Sequence, residues 1–140
     1  MVVEHIRLSQ RAKDQLIKLK RVTGIEHWNV LCRWAYCLSL SESSIPSLAR
    51  VPADSNVEMS WRVFGGRYAD LYVALLKERC ERDGLGTETE VLAQQFRLHL
   101  HRGIAYLAGN RELRRIDDLL GLAVTRDGTN RRLDKQCPAN

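Results

Sequence analysis

Four cysteines and four histidines are the side chains of this 140-residue chain best suited to nucleophilic or metal chemistry. Cys32 and Cys37 are five residues apart, which is too wide for a C-x-x-C redox pair and does not place two ligands on one helix face. His99 and His101 point in different directions on a helix, and His99 falls on its apolar stripe. The spacing therefore predicts free thiols and a core histidine, and it predicts no catalytic group, metal site or cofactor site.

Basic residues concentrated near the N-terminus are the other candidate for chemistry. Residues 1–35 hold seven lysines and arginines against three acidic residues, which leaves +4 of the net charge of +5 in this segment. Asp14 is the only acidic residue between Arg7 and Arg21, so ion pairs along a helix cannot neutralise most of these cations. A solvated surface is the simpler interpretation. The functional one is a DNA-binding surface, because phosphates relieve the repulsion and release counterions. Its predicted members are Arg7, Arg11, Lys13, Lys18, Lys20 and Arg21.

One amphipathic helix is predicted to carry most of these cations. Ile6 and Leu8 alternate with polar residues, which is typical of a short strand, and Ser9 then supplies an N-cap. Gly24 is the expected C-cap, because glycine adopts the left-handed conformation without a steric penalty. The apolar side of the helix is predicted to contain Ala12, Leu16, Leu19 and Thr23, and the opposite side Arg11, Asp14, Lys18 and Arg21.

The following helix, at about residues 26–40, has apolar residues on two sides. One stripe contains Trp28, Leu31, Ala35 and Leu38, and the other contains Val30, Trp34 and Cys37. Two stripes require two packing partners, and in a small chain one of them can be a second subunit. The residues predicted to form an oligomer contact are Gly24, Ile25, Trp28 and Trp34.

The rest of the chain predicts a single mainly α domain over residues 1–124. It consists of a strand-helix-helix unit (1–41), a linker (42–57) and a helical part (58–124), followed by a polar, disordered tail (125–140). In the helical part we expect helices after Gly65-Gly66, from a capping box of Thr87 and Glu90, and over 112–122, with a second strand at 59–64. The whole is a short N-terminal strand followed by a bundle of about five helices. No apolar run approaches a membrane span and no signal segment is present, which predicts a cytoplasmic protein.

The N-terminal third resembles a known layout. The segment "IRLSQRAKDQLIKLKRVTGIEHWNVLCRWA" is similar to ribbon-helix-helix proteins, in which two chains pair their strands and bury the second helix at a dimer interface. More specifically, the longer segment "IRLSQRAKDQLIKLKRVTGIEHWNVLCRWAYCLSL" resembles the N-terminal signature of the DndE family of bacterial DNA phosphorothioation (DNA sulfur modification) systems. The later segments "FGGRYADLYVALLKERCERDG" and "FRLHLHRGIAYLAG" also resemble that family.

The DndE resemblance implies a non-catalytic DNA-binding subunit that works beside partners supplying the sulfur chemistry. It also implies a homotetramer with a preference for nicked over intact duplex. Lys13, Lys18, Lys20 and Arg21 match the basic helix of the family, and Gly24 with Ile25 matches the turn at the subunit contact. Residues 43–56 and the segment from 125 onward match no family pattern.

Two alternatives remain open on the sequence. A ribbon-helix-helix transcription regulator would read a palindromic operator with His5 and Arg7 in the major groove. A thiol-dependent sulfur carrier would use Cys32, Cys37 or Cys80.

Overall fold

Helices form most of the chain, which the computed structural model describes from residue 4 to residue 123. In chain order the elements are β1 (His5–Arg7), α1 (Gln10–Thr23), α2 (Trp28–Ser41), β2 (Glu58–Ser60), α3 (Trp61–Gly65), a 3-10 turn (Gly66–Tyr68), α4 (Ala69–Arg82) and α5 (Thr89–Gly109). A further helical segment, 116–123, ends the described range. The predicted mainly α fold with a short N-terminal strand is confirmed. The tail predicted at 125–140 lies outside the described residues.

The N-terminal strand has its partner in the same chain. β1 and β2 pair antiparallel with Ile6 opposite Met59, and both side chains are buried. The strand predicted at 59–64 ends at Ser60, because the Ser60 Oγ accepts a hydrogen bond from the Val63 N–H at 3.1 Å and begins α3. The ribbon-helix-helix resemblance therefore concerns the order of the elements, whereas the pairing of β1 is intramolecular.

α2 and α5 cross at the centre of the core with their backbones in contact. Gly103 of α5 lies so close to Ala35 of α2 that a β-carbon at position 103 would overlap the Ala35 carbonyl group. Aromatic rings with centroids 4.9–5.9 Å apart, in tilted and edge-to-face arrangements, extend this core. They belong to Tyr36, Trp61, Phe64, Tyr72 and Phe96. Residues before and after the 42–57 segment thus share one core.

Two arginines satisfy the carbonyl groups at the C-terminal end of α2. The buried Arg79 donates to the Leu40 carbonyl at 2.7 Å and pairs with Asp83 at 2.8 Å, and Arg102 donates to the Ser39 carbonyl at 2.8 Å. The last carbonyls of a helix have no intrahelical partner and carry partial negative charge, so cations there stabilise the helix. This end of α2 is therefore fixed by α4 and α5.

His99 lies beside these arginines and is fully buried, as the sequence predicts. Its Nδ1 is 2.8 Å from the Ser39 Oγ. Burial, reinforced by the positive charges of Arg102 and Arg79, lowers the pKa of His99 to about 4. The imidazole is thus neutral at physiological pH and is part of the packed core.

The segment 42–57 contains no helix or strand and is held against β1 and α5. The Ser55 N–H donates to the Leu8 carbonyl at 3.1 Å, and the Leu8 N–H donates to the Val57 carbonyl at the same distance. Arg97 of α5 bridges the Arg7 carbonyl at 2.8 Å and the Val51 carbonyl at 3.1 Å. These bonds fix the position of β1 relative to the helices.

Two boundaries differ from the prediction. The capping box of Thr87 and Glu90 is wrong, because α5 begins at Thr89 with Glu88 as N-cap and without a side-chain capping bond. The helix predicted over 112–122 begins at residue 116, after a turn in which the Leu113 N–H donates to the Asn110 carbonyl at 3.2 Å.

Candidate nucleic-acid interface

Both ends of α1 are fixed by hydrogen bonds. The Ser9 Oγ accepts from the Ala12 N–H at 3.1 Å, and the Gln10 N–H donates to the Asp54 carboxylate at 2.8 Å. At the other end Gly24 has a φ of 75°, and its N–H donates to the Lys20 carbonyl at 2.9 Å. Both predicted caps are confirmed, so α1 is a defined element that presents its cations in a fixed order.

The two sides of α1 have the predicted character. The four residues predicted on the apolar side are buried, and Arg11, Asp14, Lys18 and Arg21 are exposed. The carboxylate of Asp14 accepts a hydrogen bond from the Gln10 side chain at 3.0 Å. Within residues 4–123, no ion pair involves a lysine or arginine of α1. The lysines and arginines of this face are therefore not neutralised by ion pairs, and Asp14 is its one acidic residue.

Arg11 and Arg21 are the two arginines of this face. Both side chains are exposed and both guanidinium groups are available to an external anion. Lys13 is half-buried, and its Nζ donates to the Asn56 side-chain oxygen at 2.6 Å. An amide leaves the charge of the ammonium unneutralised, so Lys13 still contributes to the potential of the face.

Lys18 and Lys20 have additional contacts within the chain. The Lys18 Nζ donates to the Ala108 carbonyl at 2.7 Å, at the C-terminal end of α5. The Lys20 Nζ lies 3.4 Å from the ring centroid of Trp28, which is a cation–π contact. Both lysines therefore connect α1 to another helix, so replacing either one removes a contact within the fold as well as a positive charge.

Arg7 lies on β1 and is paired with β2. Its Nη2 is 2.9 Å from the Glu58 carboxylate, and the His5 Nδ1 is 3.9 Å from the same group. The hydrogen bond and positive charge of Arg7 lower the pKa of Glu58. The two side chains that an operator-reading strand would use thus converge on one carboxylate of the same chain.

The predicted oligomer residues lie at the start and along the outer side of α2. Gly24 is exposed, and Ile25, Trp28 and Trp34 are half-buried against the core. Beside Trp34 is a depression of about 360 Å³ whose walls are Val30, Arg33, Trp34, Cys37 and Tyr72. The second apolar stripe of α2 is therefore only partly covered by the described part of the chain.

A second group of cations, which the sequence did not predict as a site, lies on α3, the 3-10 turn and α4. Arg62, Arg67 and Lys77 line a cleft of about 820 Å³ between α3 and α4, together with Asp70. The three cations are spread over 16 residues, so only the folded chain brings them together.

Other kinds of site receive no support from the described residues. Between residues 4 and 123, no three His, Cys, Asp or Glu side chains are arranged to hold a metal ion. None of the helices in that range is long and apolar enough to cross a membrane.

Residues 5–115 match the model of a protein family described as DNA sulphur modification protein DndE. The chain belongs to the DndE family. Its fold is similar to the crystal structure of DndE from Escherichia coli B7A, described as involved in DNA phosphorothioation modification. That match has 26% identity and a TM-score of 0.64, and covers 76% of this chain and 98% of the other.

A mutant DndE involved in DNA phosphorothioation has a similar fold, with 21% identity and a TM-score of 0.57 over 74% of this chain and 97% of that one. A search of curated proteins found no match. The resemblance to DndE deduced from the sequence is confirmed, and it extends over all five helices from α1 to α5.

Proposed function

We propose that this DndE-family chain is a non-catalytic, cytoplasmic DNA-binding subunit of a DNA phosphorothioation system. It binds the phosphate backbone of duplex DNA, prefers nicked duplex, and acts as a homotetramer beside the subunits that carry out the sulfur chemistry. The observation that carries the proposal is the α1 face, whose lysines and arginines make no ion pair within the described residues. Family membership supplies DNA as the natural polyanion.

The environment of Cys32 and Cys80 argues against these two cysteines as sulfur carriers, whereas Cys37 is exposed. Cys32 and Cys80 are buried, with 0% and 1% of their surface exposed. Burial raises the pKa of the Cys32 thiol to about 12, and it also raises the pKa of Cys80. A sulfur carrier needs an accessible thiolate, and these two groups remain protonated and enclosed at neutral pH.

Oligomerisation is supported by the second apolar stripe of α2, Val30, Trp34 and Cys37, which is partly exposed. One α1 face offers few phosphate contacts, and a homotetramer brings several such faces together on one DNA molecule. Linked weak contacts of this kind raise avidity by about 10² to 10⁴ when the geometry allows simultaneous binding.

The regulator alternative has weaker support. Arg7 is engaged by Glu58 and β1 is paired with β2, so the strand that would enter a major groove is already in use. We therefore place the DNA contacts on α1, with Arg7 at the margin of the face.

Removing the two exposed arginines of α1 is expected to flatten the salt dependence of DNA binding. In an Arg11→Gln/Arg21→Gln variant, the slope of log affinity against log salt should fall by about 0.9 for each phosphate that the protein no longer neutralises. Fluorescence anisotropy on a labelled duplex across a salt series measures this slope. Arg111→Gln/Arg114→Gln is the matched control, because both residues are exposed, belong to no ion pair within residues 4–123 and lie outside α1. Equal slopes for the wild-type protein and the α1 variant would refute the proposed interface.

A break in one strand is expected to strengthen binding. Bending an intact site costs about 1–6 kcal/mol, and a nick lowers this cost because the duplex is no longer stacked continuously. Nicked and gapped duplexes of one sequence should therefore bind at least about fivefold more tightly than the intact duplex, which corresponds to about 1 kcal/mol. Competition titrations with the three duplexes measure the ratio. Equal affinities would eliminate the nick preference and leave backbone binding in place.

A further inference from the structure

The cleft between α3 and α4 is lined by three cations together with small and apolar residues. Arg62, Arg67 and Lys77 are exposed on its rim, and none of them forms an ion pair within residues 4–123. Asp70 is the one acidic residue of the lining, and small or apolar side chains including Ala69 and Val73 complete it. The volume of about 820 Å³ is within the range of about 300–1,000 Å³ that is usual for ligand pockets.

An additional cation lies behind this cleft. Arg33 of α2 donates from its Nε to the Phe64 carbonyl and from its Nη2 to the Val63 carbonyl at 3.4 Å. Its guanidinium also approaches Gly66, where a β-carbon would lie 3.4 Å from the Arg33 Nη2. Gly66 has a φ of 58°, which a side chain would adopt only with strain. The turn between α3 and α4 thus lies close to a fourth positive charge, that of Arg33.

Tyr68, the residue after Arg67, has an exposed aromatic ring. Tyr68 is 53% exposed, and the Arg67 guanidinium lies 5.4 Å from its ring centroid. Cations interleaved with an accessible aromatic ring are typical of surfaces that bind single-stranded nucleic acid, because bases stack on the ring and cations hold the phosphates. A duplex has its bases stacked internally and cannot use such a ring.

The cleft is connected to the α1 face by direct contacts. Lys20 lies over Trp28, and the neighbouring Asn29 donates from its side chain to the Val63 carbonyl of α3 at 3.2 Å. The start of α2 therefore contacts both the last turn of α1, which carries Lys20, and α3, which carries Arg62.

We propose that the α3–α4 cleft binds the phosphates of a single-stranded DNA segment, with Tyr68 as the stacking surface for a base. The inference rests on the proposed function, since it assigns to a second surface the single strand that a gap exposes or that a strand end forms where it frays at a nick. α1 holds the duplex, and the cleft holds the strand that leaves it.

The test compares four variants of the full chain with the wild-type protein on two probes. The probes are an oligo(dT) of about 20 nucleotides, longer than the usual site sizes of about 4–16 nucleotides, and a blunt intact duplex. Arg62→Gln/Arg67→Gln/Lys77→Gln should weaken oligo(dT) binding at least about tenfold and flatten its salt slope by about 0.7 for each phosphate that is no longer neutralised. The same variant should change duplex binding no more than the matched control Arg82→Gln/Arg111→Gln/Arg115→Gln, which removes three exposed charges elsewhere.

Tyr68 tests the stacking component separately from charge. Tyr68→Ala should weaken oligo(dT) binding about five- to hundredfold, whereas Tyr68→Phe, which keeps the ring, should bind like the wild-type protein. Near-normal melting temperatures of the variants establish that they are folded.

The outcomes separate the cleft from the proposed function. If the α1 variant loses duplex binding while the cleft and Tyr68→Ala variants retain oligo(dT) binding, the cleft assignment is overturned and the proposed function stands. If the wild-type protein binds neither intact nor nicked duplex, the proposed function fails. The comparison of oligo(dT) binding between the wild-type protein and the cleft variants then still tests the cleft assignment. The cleft assignment is also overturned if the cleft variant and the charge-matched control lose the same amount of oligo(dT) binding.

Discussion

Gly103→Ala is expected to lower the free energy of unfolding by about 3 kcal/mol, the upper end of the usual range for an overpacked core. The new β-carbon would overlap the carbonyl group of Ala35 and would lie 2.9 Å from the Ala35 Cα. Both are backbone atoms of α2, so no side chain can move aside, and the two helices must separate. Separation would reduce the packing of every residue at the crossing.

Urea denaturation followed by circular dichroism measures the loss at Gly103. Gly109→Ala is the matched control, because it lies in the same helix and has no atom within 4 Å of the new β-carbon. Alanine is favoured over glycine in helices by up to about 1 kcal/mol, so the control should be as stable as the wild-type protein or slightly more stable. A Gly103→Ala protein with unchanged stability would show that α2 and α5 do not approach as closely as described.

Trp34→Glu is expected to dissociate the oligomer and to lower the affinity for nicked duplex by about 10² to 10⁴. Trp34 belongs to the second, partly exposed apolar stripe of α2 and lines the depression there. If a second subunit packs on this stripe, a carboxylate at position 34 would lose its hydration, which is energetically costly. The loss in affinity arises because separate protomers bind one DNA molecule independently, without the effective concentration that linkage provides. Analytical ultracentrifugation measures the oligomeric state, and a competition titration measures the affinity.

Two further variants separate the causes in the Trp34 experiment. Trp34→Ala removes apolar surface without adding charge and should also weaken the assembly. Leu48→Glu adds the same negative charge at a leucine that is 78% exposed in the 42–57 segment, and it should leave both measurements unchanged. A monomeric Trp34→Glu protein that binds nicked duplex as tightly as the wild type would refute the link between assembly and DNA binding. A wild-type protein that sediments as a monomer would refute the oligomer itself.

The basic helix is the part of the fold that was predictable in most detail. Ser9 and Gly24 cap it through bonds to residues three or four positions away, and its apolar residues recur with the period of a helix. All of this information is contained within 16 consecutive residues. The membership of the exposed face, including Arg11 and Arg21, was predictable for the same reason.

The partners of individual cations were not predictable. Lys18 contacts Ala108, which is 90 residues away, and Arg7 contacts Glu58, which is 51 residues away. Periodicity indicates which side of a helix is buried, but it does not indicate which element covers it. For this reason the six cations could not be told apart from the sequence. In the structure, Arg11 and Arg21 have no partner among the described residues, whereas Lys18 and Lys20 contact other helices.

Residue patterns alone were enough to predict the fold class, the capped basic helix, the second helix with two apolar stripes and the DndE family. Those features depend on residue type at short spacing, or on segments that match the family closely. The pairing of β1 with β2, the contact of α2 with α5 at Gly103, and the cleft lined by Arg62, Arg67 and Lys77 became visible only in the folded chain. They depend on contacts between separate elements of the chain, and such contacts form only when the whole core packs.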